Sequence, residues 1–136
     1  MAASIKIAWN GEKLIDSTLR AAGEGVFEGA MILREKIQTN ISVVGPPHSL
    51  PGEAPHLITG KLQDSVKIKG NRNIPEARVV VEAPYALALE FGYAARNLAP
   101  RPFIRRSMEE VRSEVTAAIV NAIKRGRGNV RFADGE

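Results

Sequence analysis

Residues 84–103 read PYALALEFGYAARNLAPRPF, and this stretch decides how the chain turns. An aromatic–small–acid–aromatic–glycine run (Tyr85, Ala86, Glu90, Phe91, Gly92) stands just ahead of Arg101-Pro102-Phe103. Pro84 stops whatever strand precedes it and suits the first position of a helical turn through Tyr85–Phe91. Gly92 supplies the left-handed residue that ends such a turn. Residues 93–99 then read as a loop, and Pro100 and Pro102 lead into a last helix over about 103–125. Its apolar positions, Ile104, Met108, Val111, Val115, Ile119 and Ile123, fall on one face. Arg105–Glu109 and Arg106–Glu110 have the spacing of surface pairs worth a few tenths of a kcal/mol each. Gly126 and Gly128 are expected to end this helix.

Glu90 is the only acid in the stretch. A general acid needs a partner, and no second carboxylate or histidine is close in sequence. The better reading is a salt bridge or a helix-end hydrogen bond, with Arg96 or Arg101 as candidate partners, or a bridge to another chain. Tyr85, Phe91 and Phe103 are expected to form a packing corner.

Upstream, residues 77–83 and 65–69 alternate as two half-buried strands, most simply an antiparallel hairpin. Thr59 and Gly60 open a short helical turn with Leu62 facing in. Residues 43–58, VVGPPHSLPGEAPHLI, hold four prolines (Pro46, Pro47, Pro51, Pro55) and two glycines. Proline fixes φ and removes a donor, so neither helix nor sheet runs through. A loop of this length is unusual inside a compact domain, and it reads as an extended arm that orders against a partner. Before it, Ile15, Leu19, Ala22, Val26, Ala30, Leu33, Ile37 and Ile41 recur every three or four residues. The period predicts a helix over about 13–42, roughly 45 Å long. Gly23, Gly25 and Gly29 weaken its middle, so it bends there or another backbone packs closely. The rest of the chain cannot cover so long a stripe, and part of it is expected to face another subunit. Residues 4–9, with Ile5, Ile7 and Trp9 on one side, read as a further strand.

The expected fold is α+β: an antiparallel or mixed sheet of three to four strands against a long N-terminal helix and a C-terminal helix. A single domain spans 1–125, with the proline-rich loop at 43–58 and a polar C-terminal tail at 126–136. Two strands alone are marginal, which is why a third or fourth is invoked.

With 136 residues, 44% hydrophobic and 25% charged, the chain has the make-up of one ordinary globular domain. It has no cysteine, which excludes disulfides and thiolate metal sites. No apolar run approaches a membrane span, and the first residues lack a signal-peptide core, so synthesis in the cytoplasm is the default. The net charge of +4 permits contact with nucleic acid without requiring it. Arg96, Arg101, Arg105 and Arg106 lie in a run without acids, next to Tyr93 and Phe103, and could touch phosphates. That makes a small basic protein binding nucleic acid without reading sequence the alternative. Few aromatics are present for base stacking, however, and no reading motif occurs. His48, Glu53 and His56 share the proline-rich loop, but their spacing fits no metal motif, so no metal is expected. There is no nucleophile elbow and no phosphate-binding glycine loop. Neither enzymatic activity nor a cofactor is expected.

Three segments together resemble the tail-completion (neck, head–tail joining) proteins of long-tailed bacteriophages. They are Ala54-Pro55 followed by Thr59-Gly60-Lys61-Leu62 and Ser65, then Tyr85-Ala86 followed by Glu90-Phe91-Gly92, then Arg101-Pro102-Phe103-Ile104 opening the final helix. Their order covers about residues 50–125. The stretch GPPHSLPGE before Ala54 is longer and richer in proline than the family's usual approach, and Tyr93 stands where the family often has Thr or Ser. The resemblance implies a structural virion protein at the head–tail junction, not an enzyme. It implies a homo-oligomeric ring, sixfold to match the tail, between the head connector and the tail tube, with genomic DNA passing through the lumen and no membrane. Residues implied in subunit or ring contacts are Pro46, Pro47, Pro51, Pro55, Thr59, Gly60, Tyr85, Glu90, Phe91, Gly92, Arg96, Arg101, Pro102 and Phe103.

Overall fold

Two long helices from opposite ends of the chain lie antiparallel, and glycines let them touch. The computed structural model describes residues 11–43, 49–53, 55, 60–71 and 74–128. The elements in order are α1 (Gly11–Asn40), α2 (Lys61–Asp64), β1 (Val66–Asn71), β2 (Glu76–Val81), α3 (Ala86–Phe91), a 3-10 turn (Ala94–Arg96) and α4 (Ile104–Gly128). A Cβ on Gly25 would lie 2.8 Å from the Ala122 Cβ and 2.9 Å from the Ile119 Cα, and one on Gly29 would lie 2.9 Å from Val115 Cγ1. Gly25 and Gly29 therefore mark close approach of α4. α1 is one unbroken helix, and the roughly 1 kcal/mol each glycine costs is offset by contact with α4.

The same geometry explains a difference from the sequence expectation. α4 does not stop at residue 125 but continues through Gly128. Gly126 packs against Ala21, where a Cβ would collide, so it serves as a contact and not as a stop signal. Residues 129–136 of the expected tail lie outside the described residues. Polar pairs fix the alignment of the two helices. Arg125 Nη2 lies 3.0 Å from Glu28 Oε1 at one end, and Asn40 Nδ2 donates to Ser107 Oγ at 2.8 Å at the other.

The hydrophobic core sits at the second of these ends. Ile37 and Ile41 from α1, Val66 from β1, Ala86 from α3 and Phe103 form its buried centre, with Leu33, Leu62, Val81, Leu89 and Ile104 packed around it. β1 and β2 pair antiparallel, with Val66 opposite Val81 and Ile68 opposite Val79. Alternation puts these four on one face. Of the three to four strands expected, the sheet holds two among the described residues. The candidate strand at 4–9 lies outside those residues. One face of the hairpin packs on α1, which supplies burial that an isolated hairpin lacks.

Six-residue strands span about 20 Å, less than half of α1. Beyond them α4 covers the middle of α1, while in its first turns Ile15 and Leu19 are 54% and 44% exposed.

Candidate functional site

The stretch 84–103 folds into a corner between α3 and α4. Ala86 N–H donates to Ala83 O at 3.0 Å and Leu89 N–H to Tyr85 O at 3.1 Å, starting α3. Gly92 ends it with φ +79, a conformation that L side chains rarely adopt. Any side chain there would also meet Leu98 O and Pro100 Cδ, at 2.8 and 2.9 Å. Residues 93–98 close on themselves. Tyr93 N–H donates to Leu98 O at 2.9 Å and Leu98 N–H to Tyr93 O at 3.1 Å. The returning chain is then bonded to α3 through Arg101 N–H and Leu89 O, at 2.6 Å.

Glu90 holds the corner together. Its Oε2 accepts the N–H groups of Phe103 and Ile104 at 2.8 and 2.9 Å, and its Oε1 accepts that of Arg105 at 3.0 Å. These are donors that the first turn of a helix leaves without partners. A carboxylate there also meets the positive end of the helix dipole. The carboxylate is buried, and its role is the helix-end hydrogen bond of the two readings. Neither Arg96 nor Arg101 forms an ion pair with it.

Arg101 has a different task. Its Nε and Nη2 donate to Ser49 O at 3.2 and 3.0 Å, and its Nη1 to Ala99 O at 3.3 Å. Gly52 N–H donates to Pro100 O at 3.0 Å. The described part of the proline-rich loop, residues 49–53, is thus a turn tied to the body of the protein. Glu53, one of three residues weighed as metal ligands, accepts the Leu50 N–H at 3.3 Å. His48 and His56 lie outside the described residues.

The remaining contact residues are scattered. Pro46, Pro47 and Thr59 lie outside the described residues. Pro51 is exposed and Pro55 buried. Gly60, with φ 76, turns the chain into α2. Arg96 is exposed on the 3-10 turn and Pro102 half-buried. Because Arg101 points into carbonyl oxygens, the four arginines do not form one phosphate-facing row. Phe103 is fully buried, but Tyr85 and Phe91 are 46% and 70% exposed, which corrects the aromatic packing corner. The core takes Ala86 and Leu89 from α3 instead, leaving Leu87 and Phe91 outside.

Those two residues belong to a feature not foreseen in the sequence. An open apolar groove of about 470 Å³ runs between α3 and α4. Leu33 and Val81 line it from beneath, Leu87 and Phe91 from α3, and Ile104 and Met108 from α4, with Arg105, Glu109 and Arg112 at the α4 side. None of these three charged side chains forms an ion pair among the described residues. Neither expected pair, Arg105–Glu109 or Arg106–Glu110, closes to ion-pair distance there, although the Arg106 charge acts on Glu110. Glu110 instead reaches α1, with Lys36 Nζ 3.2 Å from its Oε2 and Asn40 Nδ2 donating to that oxygen at 3.2 Å. The Asn40 hydrogen bond, then Lys36, holds its carboxyl below the usual glutamate range. On the hairpin, the hydrogen bond and charge of Lys69 do the same for Glu82. The leucine in YALALEF was the only sequence signal for the groove: Leu87 and Leu89 cannot both face the core of a short helix.

Among the described residues no cluster of three His, Asp or Glu side chains could hold a metal, and no helix is long and apolar enough to cross a membrane. Compared with known proteins, residues 6–92 match the family model described as "Bacteriophage HK97-gp10, putative tail-component". No curated protein and no solved structure matches.

Proposed function

Because this chain belongs to the HK97-gp10-like family of phage tail components, we propose that it is a structural subunit of the neck, where head and tail join. Copies form a ring, sixfold like the tail, that completes the tail and seats it on the head connector. Genomic DNA passes through the lumen without being read. The chain acts as one α+β domain over 1–125, and its contacts come from the proline-rich loop and from the α3–α4 corner with its 92–101 loop.

The family match over residues 6–92 carries this reading. The geometry agrees with it. Glu90, Gly92 and Arg101 are spent on holding the corner rigid, and Leu87 and Phe91 stand 71% and 70% exposed on its outside. Large apolar side chains fixed on a rigid frame suit docking to another protein, since little ordering is lost on contact. Tyr85, Arg96 and Pro51 are exposed as well and would extend such a contact.

The test is an image of particles made without this protein. Tailless heads beside finished tails are expected. Intact, infectious virions in its absence would overturn the assignment.

A further inference from the structure

A ring built head to tail needs two unlike surfaces on each copy. The described surface offers two unpartnered apolar patches. One is the α3–α4 groove, with Leu87 and Phe91 exposed and Arg105, Arg112 and one acid, Glu109, beside it. The other is the start of α1, where Ile15 and Leu19 are exposed one turn apart. Glu12 and Asp16 share that side of the helix by their three- and four-residue spacing, while Lys13 and Arg20 lie further round. Neither acid forms an ion pair among the described residues.

The two patches complement each other. An apolar groove edged by two guanidiniums and a single exposed acid, Glu109, matches an apolar ridge edged by two carboxylates. They cannot meet within one chain. Ile15 and the groove residue Leu33 belong to the same unbroken helix, and their 18-residue separation corresponds to roughly 27 Å.

Resting on the ring reading, we propose that the first two turns of α1 in one copy dock into the α3–α4 groove of the next copy. Ile15 and Leu19 cover Leu87 and Phe91, and Glu12 and Asp16 face Arg105 and Arg112. Each copy gives one ridge and one groove, so the contact repeats by rotation and closes.

The absence of cysteine makes the contact directly testable. Full-length Leu19→Cys, carrying a mass tag, is mixed with full-length Leu87→Cys under mild oxidation. Both positions are exposed, so the fold tolerates the change. A mixed disulfide dimer at twice the 14.7 kDa chain, plus the tag, is expected in several-fold excess over a control mixture of Leu19→Cys with Tyr93→Cys. Adding Arg112→Glu to the groove copy should lower the yield several-fold, and adding Asp16→Arg to the ridge copy should restore it. A yield no higher than the control overturns the contact and leaves the groove to another tail protein. Indifference to Arg112→Glu overturns the charge pairing. The wild-type mass in solution is read alongside. A ring-sized mass without the crosslink sinks this contact alone, while tailless particles test the neck role separately.

Discussion

Removing the Glu90 carboxylate should unseat the start of α4. In Glu90→Ala, three backbone N–H groups lose their acceptor, those of Phe103, Ile104 and Arg105. Each such bond contributes about 1 kcal/mol net, and the lost charge at the helix end adds about 0.5 kcal/mol. The sum is about 3–4 kcal/mol, a large part of the stability of a domain this size. At about 3–4 °C per kcal/mol it lowers the melting temperature by roughly 10–15 °C. Glu90→Gln should cost less than half as much. One amide oxygen can take the place of Oε2 and keep the two N–H bonds made there, leaving only Arg105 N–H facing an NH₂ group. Thermal and urea unfolding, followed by circular dichroism, give both values. Hydrogen exchange gives the location: protection at Phe103, Ile104 and Arg105 should fall in Glu90→Ala before protection at Ile37 does. A melting temperature unchanged in the alanine variant would refute the capping role. Equal losses for alanine and glutamine would show that charge, and not hydrogen-bond geometry, carries the effect.

Gly25→Ala should destabilise by about 1–3 kcal/mol in urea titration although alanine is the better helix former, because its Cβ would lie 2.9 Å from the Ile119 Cα. Phe103→Ala, which empties a fully buried position, should cost about 3–5 kcal/mol by the same measurement. Arg101→Ala should release residues 49–53, seen as faster hydrogen exchange at the Gly52 amide, with the helices unaffected. Glu110 has its folded pKa depressed, so its stabilising contribution is complete above the ordinary glutamate value of about 4.3 and is lost as pH falls through the lowered folded value. Unfolding midpoints of Glu110→Gln and wild type should therefore differ near neutrality and converge in acid.

What the sequence allowed one to read follows from which forces are local. The stripes of α1 and α4, the alternation of β1 and β2 and the stop at Gly92 are set by neighbours in the chain, and they lie within a few residues of expectation. The special role of Glu90 was legible as far as its chemistry, a lone acid beside a helix start, but its partners are backbone groups 13–15 residues away that no side-chain pattern reveals. Gly126 was misread because a glycine that ends a helix and one that admits a neighbouring helix look identical until Ala21 is placed against it. Arg101 was one of two candidate partners for Glu90, and only the path of the loop shows that it donates to Ser49 O instead. Phe91 was placed in a packing corner with Tyr85 and Phe103. With Ala86 and Leu89 inward on so short a helix, its place in the chain turns it out.

The α1–α4 seam also sets a timetable. Gly25 precedes its partner Ala122 by 97 positions in the chain. At about 5–20 residues per second of translation, the first helix leaves the ribosome roughly 5–20 s before anything can cover its glycine face. The hairpin, whose strands are neighbours in sequence, can close during that interval. Emergence of α4, not of the first half of the chain, is therefore the moment at which the native topology first becomes reachable.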